Sequence, residues 1–405
     1  MSELDSQHGS NDDPEFNRFA GILPFGQSDA NDRSVSRWVV SIPAAYWIAG
    51  FVLLVMPVLT SSFVLSQIFT WALILGMIAL SLMFLGGYGG MVSLAQMSVA
   101  GLAGYVLAIL GDSAITDISV GWPWWLAVPA ALFIASLFAT LTGMLAVRTE
   151  GIYTIMITLA IAAALFYFTR QNYVVFNGFS GFNGLKQPHV FGVDWNKPIP
   201  FYYFTLLVSA LCYLFVLYVS RSPFGLALQG VRDNSRRMAA LGFNVTAHRV
   251  AAFSVAGFIA ALGGVLLVWL NGQISPGTIA INPAIDILII AIVGGLRRPL
   301  GPFIGALIYV LLRTFSIDIL TSLGLAGERF QLLIGLGFLI IVYWSPDGVL
   351  GLWDRWREKR RNSDPWKSTA GVGSDASKRS SGEAGLMRER SGGPDSQRGR
   401  DGVEP

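Results

Sequence analysis

Residues 66–86 read SQIFTWALILGMIALSLMFLG, a run without a single charged side chain. A helix needs about 20 consecutive, mostly apolar residues to cross a lipid bilayer, and this run has that length. Nine further runs of the same character predict an all-α, polytopic integral membrane protein with about ten transmembrane helices. The ten predicted spans are 39–59, 66–86, 90–110, 123–147, 151–170, 201–219, 250–270, 283–296, 300–320 and 330–346.

Two features predict that some of these helices are broken or re-entrant. The span 283–296 is shorter than the others and begins at Pro283, and glycines interrupt the apolar sequence at GGYGG (86–90) and IVGGLRRPLGP (292–302). Irregular backbone is tolerated at membrane depth where it lies inside protein or lines a path. Most of the 45 glycines have a simpler explanation, which is that small residues let helices in lipid approach closely.

The charged residues are concentrated in the two tails. The chain has 405 residues, of which 53% are hydrophobic and 13% are charged, about half the charged fraction that is usual for soluble proteins. Residues 1–38 hold seven acids and three bases, and residues 354–405 hold nine acids and twelve bases. We therefore expect a polar N-terminal tail (1–38), a transmembrane domain (39–353) and a C-terminal tail (354–405) that is disordered because it has few large apolar residues.

The positions of the basic residues predict the orientation in the membrane. With an N-terminus on the cytoplasmic side and ten crossings, eight arginines fall in cytoplasmic loops and four basic residues fall outside, as the positive-inside rule requires. Both termini would then be cytoplasmic. The eight are Arg148, Arg221, Arg232, Arg236, Arg237, Arg249, Arg297 and Arg298, and the four are Arg170, Lys186, Lys197 and Arg329.

No pattern in the chain indicates catalysis. The GxxxxGK[ST], HExxH and GxSxG patterns are absent from the sequence, which excludes their phosphate-binding and hydrolytic chemistry here. None of His8, His189 and His248 lies in a predicted span, and Cys212 is the single cysteine. We expect no catalytic residue, no metal site, no bound cofactor and no nucleic-acid partner, so the protein is not predicted to be an enzyme.

Two polar groups interrupt the apolar sequence and are candidates for a substrate path. Ser93 and Gln96 lie at the start of the span 90–110, three residues apart, and would share a helix face. Asn183 lies in a Gly-Asn loop, NGFSGFNGL (177–185), on the predicted outer side. The simpler alternatives are interhelical hydrogen bonds for the first group and an ordinary turn for the second.

Two charged residues fall in or beside predicted spans. Asp286 lies at the outer start of the span 283–296, and Arg313 lies within the span 300–320. Charges inside a membrane are expensive and mark functional sites. A capping or interfacial role for Asp286 and a structural role for Arg313 are the simpler explanations, and we favour them.

One long basic stretch, RSPFGLALQGVRDNSRRMAALGFN (221–244), separates two of the spans. Ser222 can cap a helix, and Gly242 can end it in a left-handed conformation. The spacing between them predicts one amphipathic helix, which lies on the inner leaflet or docks to a cytoplasmic partner. The apolar face would contain Phe224, Leu228, Val231, Ser235 and Met238.

Five stretches in order resemble the permeases of branched-chain amino acid ABC transporters, specifically the LivM-type subunit. The longest is SPFGLALQGVRDNSRRMAALGFNVTAHRVAAFSVAGFIAALGG (222–264), which is similar to the family's cytoplasmic segment and following span. GYGGMVSLAQMSVAGLAGY (87–105), TEGIYTIMITLA (149–160), FSGFNGL (179–185) and ISPGTIAINPAIDILIIAIVGGLRRPLGPFIGA (274–306) resemble further family motifs. The resemblance extends from about residue 65 to 350.

The resemblance implies an import permease in the plasma (inner) membrane that forms a pair with a second, LivH-like permease subunit. Family members work with cytoplasmic P-loop ATPase subunits, which use the ATP, and with an external solute-binding protein. Branched-chain amino acids would be the solutes, and residues 222–242 would be the cytoplasmic coupling helix. The residues expected to meet the ATPase are Leu228, Val231, Asp233, Arg236, Arg237, Met238, Leu241 and Gly242.

The alternatives differ in solute and in energy source. Related permeases carry urea, short amides or other amino acids. A stand-alone secondary transporter or channel would need no ATPase, but the sparse intramembrane charge argues against proton coupling. The stretch RDNSRRMAALG keeps Asp233, while Ser235, Arg236 and Arg237 replace the acidic residues that the family usually has there. We therefore expect a more acidic partner surface.

Overall fold

The computed structural model describes residues 59–322 except 116–117, 150, 186, 189–194 and 196, together with 50, 53–57, 335–336 and 339. Of residues 316–322 it describes the backbone only. The chain divides into two units, Met1–Leu59 and Thr60–Pro405, and all elements named below belong to the second. The predicted tails 1–38 and 354–405 lie outside the described residues, as do most of the predicted spans 39–59 and 330–346.

The described part of the chain is mostly helical. Its helices are α1 (Ser62–Tyr88), α2 (Gln96–Leu110), α3 (Trp124–Ala146), α4 (Ile152–Gln171), the short α5 (Tyr173–Phe176), α6 (Pro198–Arg221), α7 (Pro223–Asp233), α8 (Ser235–Ala240), α9 (Val245–Asn271), α10 (Ile281–Gly294) and α11 (Gly301–Ser322). Helix α1 contains π-helical turns at Leu65–Thr70 and Phe84–Tyr88. Two short strands, β1 (Phe182–Asn183) and β2 (Gln273–Ile274), form an antiparallel pair, which is a small departure from the predicted all-α class.

Five of the described helices, α1, α3, α4, α6 and α9, are long and apolar enough to cross a membrane. Helices α2 and α10 are shorter apolar helices of 15 and 14 residues, and α11 is apolar over residues 301–315. The predicted span 90–110 begins late, because residues 91–95 are not part of the helix. The described residues thus contain several membrane helices, whereas a count of ten stays a prediction.

The start and end signals of these helices are local. Ser222, Asn234 and Asn244 accept hydrogen bonds from backbone N–H groups in the first turns of α7, α8 and α9, which satisfies donors that a helix leaves open. Gly272 ends α9 in the left-handed region with φ +64°. A residue with a Cβ is strained there.

Helix α4 turns polar side chains inward and large apolar side chains outward. Helix α4 buries Thr154, Thr158 and Thr169 and exposes Ile152 and Phe168. In water such an arrangement would expose a large apolar surface to solvent, whereas in a bilayer that surface contacts lipid. On α4 the inner face is therefore partly polar and the outer face is apolar, as expected of a helix in a bilayer.

Helix α9 is the centre of the bundle and packs against α1, α2 and α3. The contacts depend on small residues: a Cβ on Gly264 would collide with the backbone oxygen of Ala100, and one on Gly257 would collide with the Ala139 methyl group. Helix α3 presents a buried row of small residues, Ala127, Ala131, Ala135 and Ala139. The tight packing predicted for the glycines is confirmed at these positions.

Successive long helices run in alternating directions between two ends of the bundle. One end, here called the basic end, contains residues 87–91, 147–151, 221–244 and 294–301. The opposite end, the β end, contains the loops around the β1–β2 pair, where the Ala114 N–H donates to Asn183 O at 3.0 Å. Eight arginines lie in the loops, short helices and helix ends of the basic end: Arg148, Arg221, Arg232, Arg236, Arg237, Arg249, Arg297 and Arg298.

Asp286 and Arg313 belong to one polar group between α10 and α11. Asp286 of α10 and Tyr309 of α11 lie close together, and Arg313 interacts electrostatically with both residues. The Arg313 guanidinium also lies 5.9 Å from the centre of the Trp71 ring. Asp286 is therefore a link between two helices and not a helix cap.

Candidate functional site

A buried polar cluster lies where α1, α2 and α4 meet, near the basic end. Gln96 is the first residue of α2 and is 1% exposed. The hydroxyl of Ser81, on α1, donates to Gln96 Oε1 at 3.1 Å and also lies 2.6 Å from the Ile78 carbonyl oxygen, so its one proton is shared between two acceptors. An uncharged, hydrogen-bonded group of this kind can contact a polar solute without the cost of a buried charge.

Ser93 lies beside this cluster, but in a loop and not on the predicted helix. Because α2 begins at Gln96, Ser93 lies in the preceding loop, and the prediction that the two share a helix face is wrong. The Ser93 hydroxyl accepts a hydrogen bond from the Ala95 N–H at 3.3 Å and is buried. It shapes the turn into α2, since a serine that bonds its own backbone favours a turn over a helix.

Thr158 also belongs to this cluster, although it is not among the residues predicted from the sequence. Its hydroxyl, on α4, accepts a hydrogen bond from the Leu94 N–H at 3.1 Å and donates to Ile155 O at 3.0 Å. The signal in the sequence is the pair Thr154 and Thr158, which places two hydroxyls four residues apart on one face of an apolar helix. Nearby on α2, the buried Ser98 hydroxyl has no partner among the described residues.

Asn183 is far from this cluster. It is an exposed residue of β1 at the β end, whereas Gln96 lies at the basic end of α2. A helix of 15 residues is about 22 Å long, and α2 separates the two. The structure therefore brings Ser93 and Gln96 together and places Asn183 at the opposite end of the bundle.

The basic stretch forms two helices and not the single predicted one. Helix α7 ends at Asp233, Asn234 is extended with φ −155° and ψ 92°, and α8 begins at Ser235. The Asn234 side chain accepts from the Arg237 N–H at 2.9 Å, because asparagine favours a cap over a helix interior. Residues 223–240 are called the coupling segment below. The predicted Ser222 cap and left-handed Gly242, with φ +89°, are confirmed, and Pro223 is the first residue of α7.

The apolar face of α7 is directed into the protein itself. Leu228 and Val231 are 0% and 1% exposed, and Leu228 joins the core cluster that contains Met91 and Phe253. They do not form a free surface, which corrects the prediction that these two residues meet the ATPase. Met238 is half-buried and lies over Gly230.

Charge also links the coupling segment to α1. The Arg232 guanidinium donates to the backbone oxygen of Gly87, in the last turn of α1. It also pairs with Asp233 at 2.8 Å, although the sequence spacing suggests Arg237 as the partner of Asp233. Since α7 and α8 are separate helices, that i,i+4 geometry does not exist. A force on the segment would reach α1 through Arg232 and Leu228.

A different set of side chains is exposed on the coupling segment and the turn after it. Arg236 and Arg237 are exposed, Leu241 is 67% exposed, and Leu226 is 55% exposed. Phe243 is also exposed, and its ring lies 5.8 Å from that of His248. Leu226 and Phe243 were missed because they lie outside the apolar periodicity of one long helix. Basic and large apolar side chains together are typical of a protein-docking surface.

A cavity of about 370 Å³ lies beside the break at Asn234. Its walls come from the coupling segment, from residues 90–91 after α1, from 149–154 around the start of α4 and from Arg249 on α9. Four elements therefore meet at this point, so a movement of the segment would be felt by all of them. Among the described residues, no group of three His, Cys, Asp or Glu side chains could hold a metal ion.

Comparison with known proteins agrees with this architecture. The family model described as "Branched-chain amino acid transport system / permease component" matches residues 64–342. The high-affinity branched-chain amino acid transport system permease protein LivM of Salmonella typhimurium is 21% identical over 287 residues, which cover 65% of this chain and 66% of that protein. The chain thus spans slightly less than two thirds of this relative's length.

Two further relatives differ in the solute that their names give. The ribose import permease protein RbsC of Haemophilus influenzae is 23% identical over 256 residues, covering 61% of this chain and 76% of RbsC. A probable branched-chain amino acid transport permease protein LivM of Methanocaldococcus jannaschii is 24% identical over 234 residues, covering 54% and 67%. No solved structure matches the chain. The family match covers well over half of the sequence, and the chain belongs to the permease-component family of branched-chain amino acid transport systems.

Proposed function

We propose that this protein is the permease subunit of an ATP-driven ABC importer in the plasma (inner) membrane, with branched-chain amino acids as its solutes. The observation that carries the proposal is the coupling segment: an exposed basic and apolar surface fixed to the ends of the central helices. The family membership and the LivM relatives support the solute class. The RbsC relative makes a sugar the second candidate solute.

In this mechanism the basic end faces the cytoplasm, and both termini lie on that side. The concentration of arginines at one end of the bundle supports this orientation. Cytoplasmic P-loop ATPase subunits bind ATP and press on Arg236, Arg237, Leu241 and the neighbouring apolar residues. A second permease subunit completes the path, and an external solute-binding protein delivers the solute to the β end.

The coupling segment converts this movement into a change of access. Leu228 is packed in the core, and Arg232 holds the Gly87 oxygen at the end of α1, so the segment moves α1 and the start of α9 as it moves. Packed helices shift between discrete arrangements and do not deform continuously. The polar cluster around Gln96 lies where α1 meets α2 and α4, and the solute passes there in this mechanism.

The experiment that tests the proposal is affinity purification of the full chain from its native membrane in mild detergent, with mass spectrometry of the bound proteins. We expect a second permease and one or two P-loop ATPases. Recovery of this chain alone, from a preparation that still transports, would identify a stand-alone secondary transporter or channel. Uptake of labelled leucine, ribose and urea by vesicles that contain the assembly then identifies the solute.

A further inference from the structure

A second and larger cavity, of about 610 Å³, opens at the β end of the bundle. It lies between the loop after α2, the start of α3, the stretch after β1 and the end of α9. Its size is in the range of small-molecule sites in proteins, roughly 300–1,000 Å³. The walls contain Asp112, Trp122, Trp124, Gln187 and Trp269, and none of these residues has a role in the mechanism above.

Hydrogen bonds hold the walls of this cavity in place. The Ala114 N–H donates to Asn183 O at 3.0 Å, the Leu185 N–H donates to Gly272 O at 3.0 Å, and the Trp122 N–H donates to Leu110 O at 2.6 Å. The Gln187 side-chain amide donates to Trp269 O at 2.9 Å. The loops are thus tied to each other and to the helix ends, and the cavity is formed before any ligand enters.

The polar groups in the walls favour a positively charged hydrogen-bond donor. Asp112 is the one charged side chain among the described residues that line the cavity, and no described base forms an ion pair with it. The Gln187 Nε2 must face the Trp269 carbonyl, because a carbonyl only accepts, and this fixes Oε1 as the opposite atom. That Oε1 is enclosed and has no donor among the described residues, which leaves the Asp112 carboxylate as the acceptor for a ligand N–H.

The aromatic residues favour the same kind of ligand. Three tryptophans line the cavity, and the indole face attracts cations more strongly than the faces of the other aromatic side chains. A carboxylate together with several aromatic walls is an arrangement that recognises ammonium groups. Leu107, Pro123 and Ala127 complete the walls and can contact an apolar side chain of the same ligand.

We propose that this cavity binds a primary ammonium group, with Asp112 as the counter-ion and Trp122, Trp124 and Trp269 as the surrounding walls. For its physiological ligand the proposal rests on the proposed function: the ammonium is that of the amino acid, which pauses at the β end before it enters the bundle. The headgroup of phosphatidylethanolamine has the same chemistry. The cavity distinguishes amines from carboxylates of equal shape, which is the property to be tested.

The test uses the full-length chain in nanodiscs of phosphatidylglycerol, with binding followed by saturation-transfer NMR. Leucinamide keeps the ammonium of leucine and lacks its carboxylate, and 4-methylpentanoate keeps the carboxylate and lacks the ammonium. We expect binding of leucinamide and not of 4-methylpentanoate. Asp112→Asn should weaken leucinamide binding about tenfold, which corresponds to about 1.4 kcal/mol, and Asp112→Glu should retain most of it.

Matched controls separate the cavity from the surrounding aromatic surface. Trp124→Leu should weaken leucinamide binding, whereas Trp125→Leu should not, because Trp125 is a similarly exposed neighbour that does not line the cavity. Replacing the lipid by phosphatidylethanolamine distinguishes the two sources of the ammonium. A leucinamide signal that is then lost identifies the headgroup as the occupant, and an unchanged signal identifies the free solute.

Two results would overturn the proposal: equal binding of 4-methylpentanoate, or leucinamide binding that is the same in Asp112→Asn as in the unmodified chain. Either result, in a chain that still co-purifies with an ATPase, would reject ammonium binding in the cavity and leave the proposed function intact. If leucinamide binding depends on Asp112 in a chain that transports alone, ammonium binding in the cavity is supported and the ATP-driven importer is rejected.

Discussion

Gln96 has a place in the helix packing as well as the role in the solute path that we propose for it. It is buried at the junction of α1 and α2 and has a single described partner, the Ser81 hydroxyl. Since Ser81 also reaches the Ile78 oxygen, removal of Gln96 leaves no donor unpaired. We therefore expect a substitution of Gln96 to preserve the fold and to impair transport.

Gln96→Leu tests this distinction. We expect uptake to fall about tenfold or more, with unchanged amounts of the assembled complex, because leucine cannot hydrogen-bond to a polar solute. Ser209→Ala is the control, since Ser209 is another buried polar residue of the bundle and lies outside the cluster. Measuring solute uptake by vesicles together with the yield of assembled complex separates a loss of transport from a loss of assembly. Equal uptake by Gln96→Leu and the unmodified protein would remove Gln96 from the path.

Gly264 is a residue whose importance is purely steric. A Cβ at this position would collide with backbone atoms of Ala100 on α2, and backbone cannot move aside as a flexible side chain can. Overpacking of this kind costs about 1–3 kcal/mol.

We therefore expect Gly264→Ala to lower the thermal midpoint of the purified protein by several degrees. Gly86→Ala is the matched control, because a Cβ at Gly86 meets only side-chain atoms, the nearest at 3.6 Å. A thermal-shift assay on both variants measures the difference. Indistinguishable midpoints would mean that α2 and α9 are not packed as described.

At the scale of elements, the coupling segment is divided between two tasks. Its buried side, with Leu228 and Val231, belongs to the permease core, and its exposed side, with Arg236 and Arg237, is available to a partner together with Leu241 in the turn that follows. The break at Asn234 produces this division, because it turns α8 away from the direction of α7. One amphipathic helix from 222 to 242 would have used the same apolar face throughout.

Charge reversal at Arg236 and Arg237 tests the outer side of the segment. We expect the double substitution to glutamate to weaken ATPase association about tenfold or more, since an acidic partner surface would then face like charge. Arg298→Glu, an exposed arginine elsewhere at the basic end, should have a smaller effect. Pull-down of the ATPase by each variant at low and high salt measures this. If ATPase association is unchanged when both arginines are reversed, a helix that lies on the lipid surface is favoured instead.

At the scale of the whole molecule, the orientation in the membrane is the central prediction. Cys212 is the single cysteine in the sequence and is buried, so Cys212→Ala gives a background without reactive thiols. In intact cells, a membrane-impermeant maleimide should label Ala114→Cys at the β end and should not label Ala239→Cys in α8. Both positions are exposed. Permeabilised cells should show label at both, and the reverse pattern in intact cells would invert the topology.

Much of the architecture could be predicted from the sequence alone. The long apolar runs at 66–86, 123–147, 201–219 and 250–270 correspond to α1, α3, α6 and α9, because a helix in lipid must be apolar over about 20 residues whatever its neighbours are. Helix ends were equally predictable where a local signal exists, as at Ser222 and Gly242. The concentration of arginines on one side of the predicted membrane follows from their positions along the chain.

Only the tertiary structure decided which faces are buried. Lipid is as apolar as a helix neighbour, so hydrophobicity by itself does not choose the face that packs inward, and Leu228 and Val231 looked as available as Leu241. The neighbours of the polar residues were equally hidden: the Thr158 hydroxyl bonds to the Leu94 N–H, 64 positions away in the sequence, and Asn183 is an entire helix length away. A membrane bundle with a basic end therefore follows from the local requirements that lipid places on each helix, whereas the sites depend on the folded arrangement, because they are made by contacts between distant segments.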